Sequence, residues 1–502
     1  MELLVIPLRR LSDVRAAGNL IWFQPALDRL RALRGEGDPR LRAFFSADSP
    51  LYIARAPGRL DVMGGIADYS GARVLELPLE CSTAALLQLQ DAPRCDVATR
   101  RAGQWHFFSV DLRSLLADGP LGTPLALAAW FAAREVDRWA AYVVGIVQLC
   151  LQRVAREGSG APRGLRLLID STIPEGKGVA SSAALEVATG AAVAATCGIE
   201  MTAAELAAAC QAVENRVVGA PCGIMDQMTS ACGQRDRLLA LRCQPGTIEG
   251  YIKIPAGFRL YGVDSGIRHA ISGTDYGTVR TAAFMGYRMI ADAAGFPATR
   301  HGSGVHIDDP RWNGYLANLT ASELLQLGSG LPTDLSGADF LRRYDGITDT
   351  ATRVLPDRRY PVRQATEHPV REQARVDRFA ELLGALAEDL RVAVELGRLM
   401  YDSHASYGAC GLGSDGTDRL VELVAEAGPE RGLFGAKITG GGSGGTVAVF
   451  GTSDAEAIVR AVAARYGAET SRQATVFTDS GPGAAETGVL MLTLDELSRL
   501  PM

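Results

Sequence analysis

Four stretches carry residue types that can hold phosphate or move a proton. "PEGKGVASSAALEVA", Pro174 to Ala188, sets two glycines and a lysine ahead of paired serines. Bare glycine backbone lets a ligand approach closely, and the amides at a helix N-terminus suit phosphate oxygens. The spacing is not that of a P-loop, because Lys177 is followed by Gly178. A tight strand-to-helix turn capped by serines would account for the same residues without a ligand. "ITGGGSGGTVAVF" holds five glycines in the six positions 440–445. It matches G-x-G-x-x-G through Gly440, Gly442 and Gly445, yet a dinucleotide fingerprint opens a helix and "TVAVF" reads as a strand. Each glycine adds ordering entropy, so close approach to a ligand or to the first loop explains this run better than a plain hairpin. "GAPCGIMDQMTSACG" puts Asp226 among small and apolar residues, twelve positions after Glu214. A helix cap for Asp226 and a solvated surface position for Glu214 are the simpler alternatives. "RAPGRLDVMGGIADYSG", Arg55 to Gly71, adds Arg59 and two aspartates around a Gly-Gly-Ile. Two phosphate-type loops, a basic residue in "APGRLD" and carboxylates for a base and a metal fit phosphoryl transfer to a hydroxyl. That reaction needs positioning and charge neutralisation more than covalent chemistry.

These segments need a scaffold. Residues 1 to about 50 are expected to be mainly helical, since "PALDRLRALRGEGDPRLRAFF" repeats apolar residues at helical spacing. From Tyr52 short strands follow, and "GLRLLIDS" (164–171) is a strand feeding the first glycine loop. A capping box, Thr202 with Glu205, starts a helix whose apolar stripe is Leu206, Cys210, Val213 and Val217, with Gly219 as its stop. The strands "YIKIPA" and "FRLYGVDS" suggest a domain junction near 250–265, and residues 285–370 show weak periodicity. The end reads strand, glycine loop, strand, helix.

At 502 residues the chain is long enough for two or three domains. Its net charge of −6, with both signs interspersed, gives no basic footprint for nucleic acid or an anionic membrane. Nine scattered cysteines without a C-x-x-C pair suggest reduced thiols. The N-terminal "MELLVIPLRRLSD" does not read as a signal peptide. No apolar run reaches the roughly 18 residues of a membrane span, so a soluble, cytoplasmic protein is expected.

Three motifs in order, "RAPGRLDVMGG", "PEGKGVASSAA" and "KITGGGSGG", resemble those of the GHMP kinases. "PCGIMDQ", "VDSGIRH" and "TDYGTVR" resemble segments of the galactokinase branch, and the likeness runs from about residue 50 to 480. The resemblance implies an α+β, two-domain GHMP kinase fold, with a ribosomal S5 domain 2-like N-terminal domain and a ferredoxin-like C-terminal domain. Residues 1–50 would then be a helical extension, and 51–260 the domain with the base and first phosphate loop. Residues 261–502 would be the second domain, with 285–370 as an insertion. By the same resemblance Asp226 is the catalytic base and Arg59 steadies it. Gly176, Lys177, Gly178, Val179, Ala180, Ser181 and Ser182 wrap the ATP phosphates together with Gly441 and Gly442. Ser182 and Glu214 hold Mg2+, and Asp68 and Tyr276 contact the sugar.

One departure bears on substrate. Galactokinases read "GEHTDY" where this chain reads "GGIADY", and their Glu and His approach the C6 hydroxymethyl of the sugar. Gly65 and Ile66 are therefore expected at the substrate pocket, Gly65 removing a polar partner and Ile66 filling the space with apolar surface. A site that loses its hydroxyl partners loses affinity for that hydroxyl. L-Arabinopyranose is the galactose ring without the hydroxymethyl, and the surrounding segments also resemble the kinase half of plant L-arabinokinases. The expected activity is ATP-dependent phosphorylation of L-arabinose at its anomeric oxygen. Galactose or another sugar is the alternative within enzymes, and a non-catalytic sugar- and ATP-binding sensor the alternative outside them. The expected partners are the sugar and ATP, with Mg2+, and neither nucleic acid nor membrane.

Overall fold

The computed structural model describes residues 4–33, 35–157, 163–268, 274–302, 304–386 and 390–500. Two sheets organise these residues. The larger has nine strands in the order Leu8–Arg10, Val489–Leu492, Leu51–Met63, Arg73–Gln90, Gly164–Ser171, Arg94–Arg101 and Gln104–Asp111. Arg237–Arg242 pairs with the start of Arg73–Gln90 and with Thr247–Lys253. Alternation along its strands sorts two cores. Ala54, Ala56, Ala85 and Leu87 face helices Ala141–Arg156, Ser181–Cys197 and Ala203–Val213. Leu51, Ile53, Ala84 and Leu86 face the N-terminal segment, where Phe23, Leu27, Leu30 and Phe44 cover the opposite side. The extension is helical over Leu11–Ala16 and Gln24–Leu33, and its structural work is to dry that face of the sheet.

Between Lys253 and Phe258 the chain passes from the large sheet to a four-stranded antiparallel one, ordered Leu433–Ile438, Thr446–Thr452, Phe258–Asp264, Val476–Phe477. Helices Asp415–Ala427 and Glu456–Thr470 cover one face, burying Leu420, Val424, Val459 and Tyr466 against Val447 and Val449. Ala448 and Phe450 point the other way, into the main core. After this sheet the chain returns, and Val489–Leu492 pairs antiparallel with Leu51–Ala54.

Residues 285–370, weak in periodicity, contribute mostly short elements to a third core. The helix Thr274–Ala293, two hairpin strands (Ala298–His301, Gly304–Ile307) and helices Ala321–Leu327 and Gly337–Tyr344 bury Trp312, Leu316, Phe340 and Tyr344. Ile66 and Tyr69 of the "GGIADY" loop enter this same core. The segment therefore packs directly on that loop. Among the described residues no helix is long and apolar enough to cross a membrane.

Candidate functional site

The strand Leu51–Met63 pairs with Arg73–Gln90 in a register that shifts between Pro57 and Arg59 and again between Asp61 and Met63. Such irregularities re-aim side chains, and here they bracket Arg59. Its guanidinium is 2% exposed. Nε and Nη2 donate to Asp226 Oδ1 at 3.0 and 2.7 Å, Nη1 donates to the Gly178 carbonyl at 2.7 Å, and Nε lies 3.2 Å from Glu76. Burial works against this charge, but Asp226, Glu76 and Asp61 outweigh it and raise the pKa above that of free arginine. Asp226 lies in the first turn of Met225–Cys232, where Ile224, not Asp226, is the cap residue. Its side chain keeps 22% exposure toward the cavity.

The helix Ser181–Cys197 starts after Ala180, which is left-handed (φ 58°) and caps nothing with its side chain. Ser181 and Ser182 are the first helical residues instead of caps, so the first-turn amides face the cavity without a side-chain partner. Lys177 reaches across to Asp264 of the small sheet at 3.0 Å, and Thr446 Oγ1 donates to the Lys177 carbonyl at 2.8 Å. The two glycine loops thus touch. Gly440 has φ 67°, and a Cβ there would fall 2.9 Å from the Gly178 carbonyl and 3.1 Å from Arg59 Nη2. No larger residue fits between the loops at that point. As expected from "TVAVF", the second loop leads into a strand, Thr446–Thr452.

Glu214 follows the helix Ala203–Val213, which has the expected Thr202–Glu205 capping box, and begins a π-helical turn, Glu214–Val218, closed by left-handed Gly219. The turn rotates Glu214 inward. It is 5% exposed, and Gln227 Nε2 donates to it at 2.7 Å. Burial pushes its pKa up to about 7, opposed by hydrogen bonds from Ser182, Cys222 and Gln227. Among the described residues no cluster of three or more His, Cys, Asp or Glu side chains could hold a metal unaided. Ser182 and Glu214, one hydroxyl and one carboxylate on the cavity wall, are the kind of partial oxygen donor set that suits Mg2+, which commonly keeps waters and takes phosphate oxygens as further ligands.

Asp68 and Tyr276 also line the cavity. Asp68 is buried and its Oδ1 has no hydrogen-bond partner. Burial, reinforced by the charge of Asp226, raises its pKa to about 6. Tyr276 stands edge-on to Tyr69, ring centroids 5.8 Å apart.

Gly65 and Ile66 are placed differently from the expectation. Neither lines the cavity. A Cβ on Gly65 would fall 1.8 Å from the Tyr407 hydroxyl and 2.0 Å from Asp61 Oδ2, so the space beside it is filled by protein. Ile66 turns away into the third core, 1% exposed, at φ 51°. A β-branched residue in the left-handed region carries roughly 1–2 kcal/mol of strain, which its burial offsets. The loop is held from outside: Glu372 Oε1 accepts from Gly64 N at 3.1 Å and His368 Nε2 lies 3.0 Å from the Gly65 carbonyl.

The cavity brings together Arg59, Asp68, Gly176, Lys177, Gly178, Ala180, Ser181, Ser182, Glu214, Asp226, Tyr276 and Gly441. Val179 is buried in the main core and gives its carbonyl to Arg59 N at 3.1 Å. Gly442 packs against Leu412, outside the cavity lining. His269, in the "VDSGIRH" segment, lies outside the described residues. Sequence reasoning missed a second cavity that meets the first at Gly176, Ser181 and Ser182 and is lined by Arg100, Arg101, Trp139 and Tyr142. Its one sequence signal was the aromatic pair in "RWAAY", three positions apart.

Known proteins resemble this chain in sequence and in fold. The GHMP kinases N terminal domain matches residues 141–234 and the GHMP kinases C terminal domain residues 382–468. The chain is 38% identical over 496 residues to the L-arabinokinase of Arabidopsis thaliana, covering 89% of this chain and 47% of that protein. The chain thus spans about half the length of this relative. It is 31% identical over 440 residues to the galactokinase of Chloroflexus aurantiacus, covering 84% of this chain and 90% of that protein. The galactokinase of Lactococcus lactis, solved with galactose, shares its fold at a TM-score of 0.66 and 18% identity, over 92% of this chain and 98% of the other. Two matched domains and a relative aligned over nearly its whole length fix the family: the chain belongs to the GHMP kinases, in their galactokinase branch.

Proposed function

We propose that the chain is an ATP-dependent sugar kinase that phosphorylates the anomeric hydroxyl of L-arabinose, giving L-arabinose 1-phosphate and ADP. The observation that carries the kinase reading is Asp226, fixed by Arg59 through one oxygen, in a cavity walled by two glycine-rich loops. The second cavity, with Trp139 and Tyr142, suits the flat base of the nucleotide. The first-turn amides of Ser181–Cys197 and the backbone around Gly441 suit its phosphates.

The sugar then lies between Asp68 and Asp226. The unpartnered Asp68 Oδ1 accepts from ring hydroxyls. The anomeric oxygen attacks the γ-phosphorus as its proton passes to Asp226, and the bond to the β-phosphate oxygen breaks, releasing ADP. Arg59 holds Asp226 in place through one oxygen and lies beside the charge that builds on the transferring group. Ser182 and Glu214 would hold Mg2+, which neutralises phosphate charge when bound.

Two observations favour L-arabinose. The similarity to an L-arabinokinase covers 89% of the chain, and Gly65 leaves the loop without the acidic side chain that galactokinases carry there. The test is ADP release with Mg-ATP, comparing L-arabinose and D-galactose at matched concentrations. A strong preference for L-arabinose supports the full reading. Equal or better use of galactose would overturn the substrate but leave the kinase, and no turnover with any sugar would leave a sugar- and ATP-binding protein.

A further inference from the structure

Two residues beyond Arg59 on the same strand lies a second buried charge that the phosphoryl chemistry does not use. Asp61, Lys437 and Tyr407 are all fully buried. Lys437 Nζ donates to Asp61 Oδ2 at 2.9 Å, and the Gly440 amide donates to the same oxygen at 3.1 Å. The Tyr407 hydroxyl lies 3.2 Å from that oxygen and 3.0 Å from the Gly440 carbonyl, within donating reach of both. The Asp61 amide donates to Thr439 Oγ1 at 2.8 Å. Three separate elements therefore converge: a strand of the large sheet, the helix Leu390–Ala409, and the strand Leu433–Ile438 with the loop that follows it.

A buried ion pair is a weak source of stability, because desolvation offsets most of the attraction. What this one does is geometric. It fixes both the N–H and the C=O of Gly440, the residue before Gly441 on the cavity wall and the one pressed against Arg59. Gly65 permits the cluster, since any Cβ there would displace both Tyr407 and Asp61. We propose that Asp61, Lys437 and Tyr407 are positioning residues that set the second glycine loop on the nucleotide phosphates, so that one strand fixes the base through Arg59 and the loop through Asp61. The proposal rests on the reading that this cavity takes ATP.

The experiment is calorimetric titration of the sugar-free protein with a non-hydrolysable Mg-ATP analogue, so that sugar identity does not enter. Tyr407→Phe keeps the ring and loses one hydrogen bond, and it should weaken the analogue about three- to tenfold. Asp61→Asn should weaken it more, at least about tenfold. The unfolding midpoint in urea is measured alongside. A merely structural role would move that midpoint and leave analogue affinity alone, whereas a positioning role moves affinity in a folded variant. If Asp61→Asn does not fold, Tyr407→Phe carries the test by itself. Analogue affinity within twofold of the unsubstituted protein in a folded variant overturns the proposal while leaving the ATP reading intact. Failure of the unsubstituted protein to bind the analogue overturns both.

Discussion

Arg59 and Asp226 lie 167 positions apart and meet through two hydrogen bonds to a single carboxylate oxygen. Both bonds go to Oδ1, and Oδ2 takes no hydrogen bond among the described residues. That asymmetry is what a general base needs: one oxygen orients the group and the other is left for a substrate proton. Asp226→Asn preserves size and should keep the fold while lowering turnover about 10²–10⁴-fold. Steady-state rates with circular dichroism as a folding control check it. A rate near that of the unsubstituted enzyme would show that another group takes the proton.

Removing the arginine has a different consequence. Arg59→Ala removes the guanidinium that Asp226 and Glu76 share. Breaking such a cluster costs about 3–5 kcal/mol, to be read from urea unfolding. The double variant Arg59→Ala, Asp226→Asn should recover part of that loss, because one of the stranded charges has gone.

The pKa of about 6 at Asp68 sets a pH signature. Because the folded value is raised above the unfolded one, this group's contribution to stability is full below pH ~4 and is lost as the pH rises through about 6. Sugar binding runs the opposite way, since the ionised carboxylate is the better hydroxyl acceptor. KM for the sugar should fall as pH rises from 5 to 7. Asp68→Asn should raise KM and flatten that dependence. A KM independent of pH in the unsubstituted enzyme would remove Asp68 from sugar contact.

Gly65→Ala pushes a methyl into the Tyr407 hydroxyl and the Asp61 carboxylate. Overpacking of this kind costs about 1–3 kcal/mol. Adding Tyr407→Phe removes one of the two clashing atoms, so the pair of substitutions should be less harmful than the sum of the singles. Urea midpoints of the two singles and the double provide the cycle.

Much of the site was legible because its signals are local. The glycine loops, the paired serines, the capping box at Thr202 and the strand after the second loop each lie within a few consecutive residues. What escaped was long-range. Tyr407 meets Asp61 across 346 positions and Lys437 meets it across 376, and nothing in "HASYG" or "AKITG" announces a partner in "GRLDV". Ile66 was misplaced for a related reason: it looked like a pocket wall beside Asp68, but its left-handed backbone turns it to the other side of the loop. Between the long helices Thr274–Ala293 and Val362–Ala385, the third core was unreadable because its helices and strands are short, too few turns each to show a period.

The filled space beside Gly65 also constrains how this binding site can change over generations. A carboxylate at position 65 cannot arise as a single tolerated step, since it would collide with two buried groups that also hold the second loop. Positions 61, 65, 407 and 437 touch or share Asp61, so replacements among them are expected to be non-additive. A lineage moving between substrates through this loop would have to loosen Tyr407 first and acquire the new side chain afterwards.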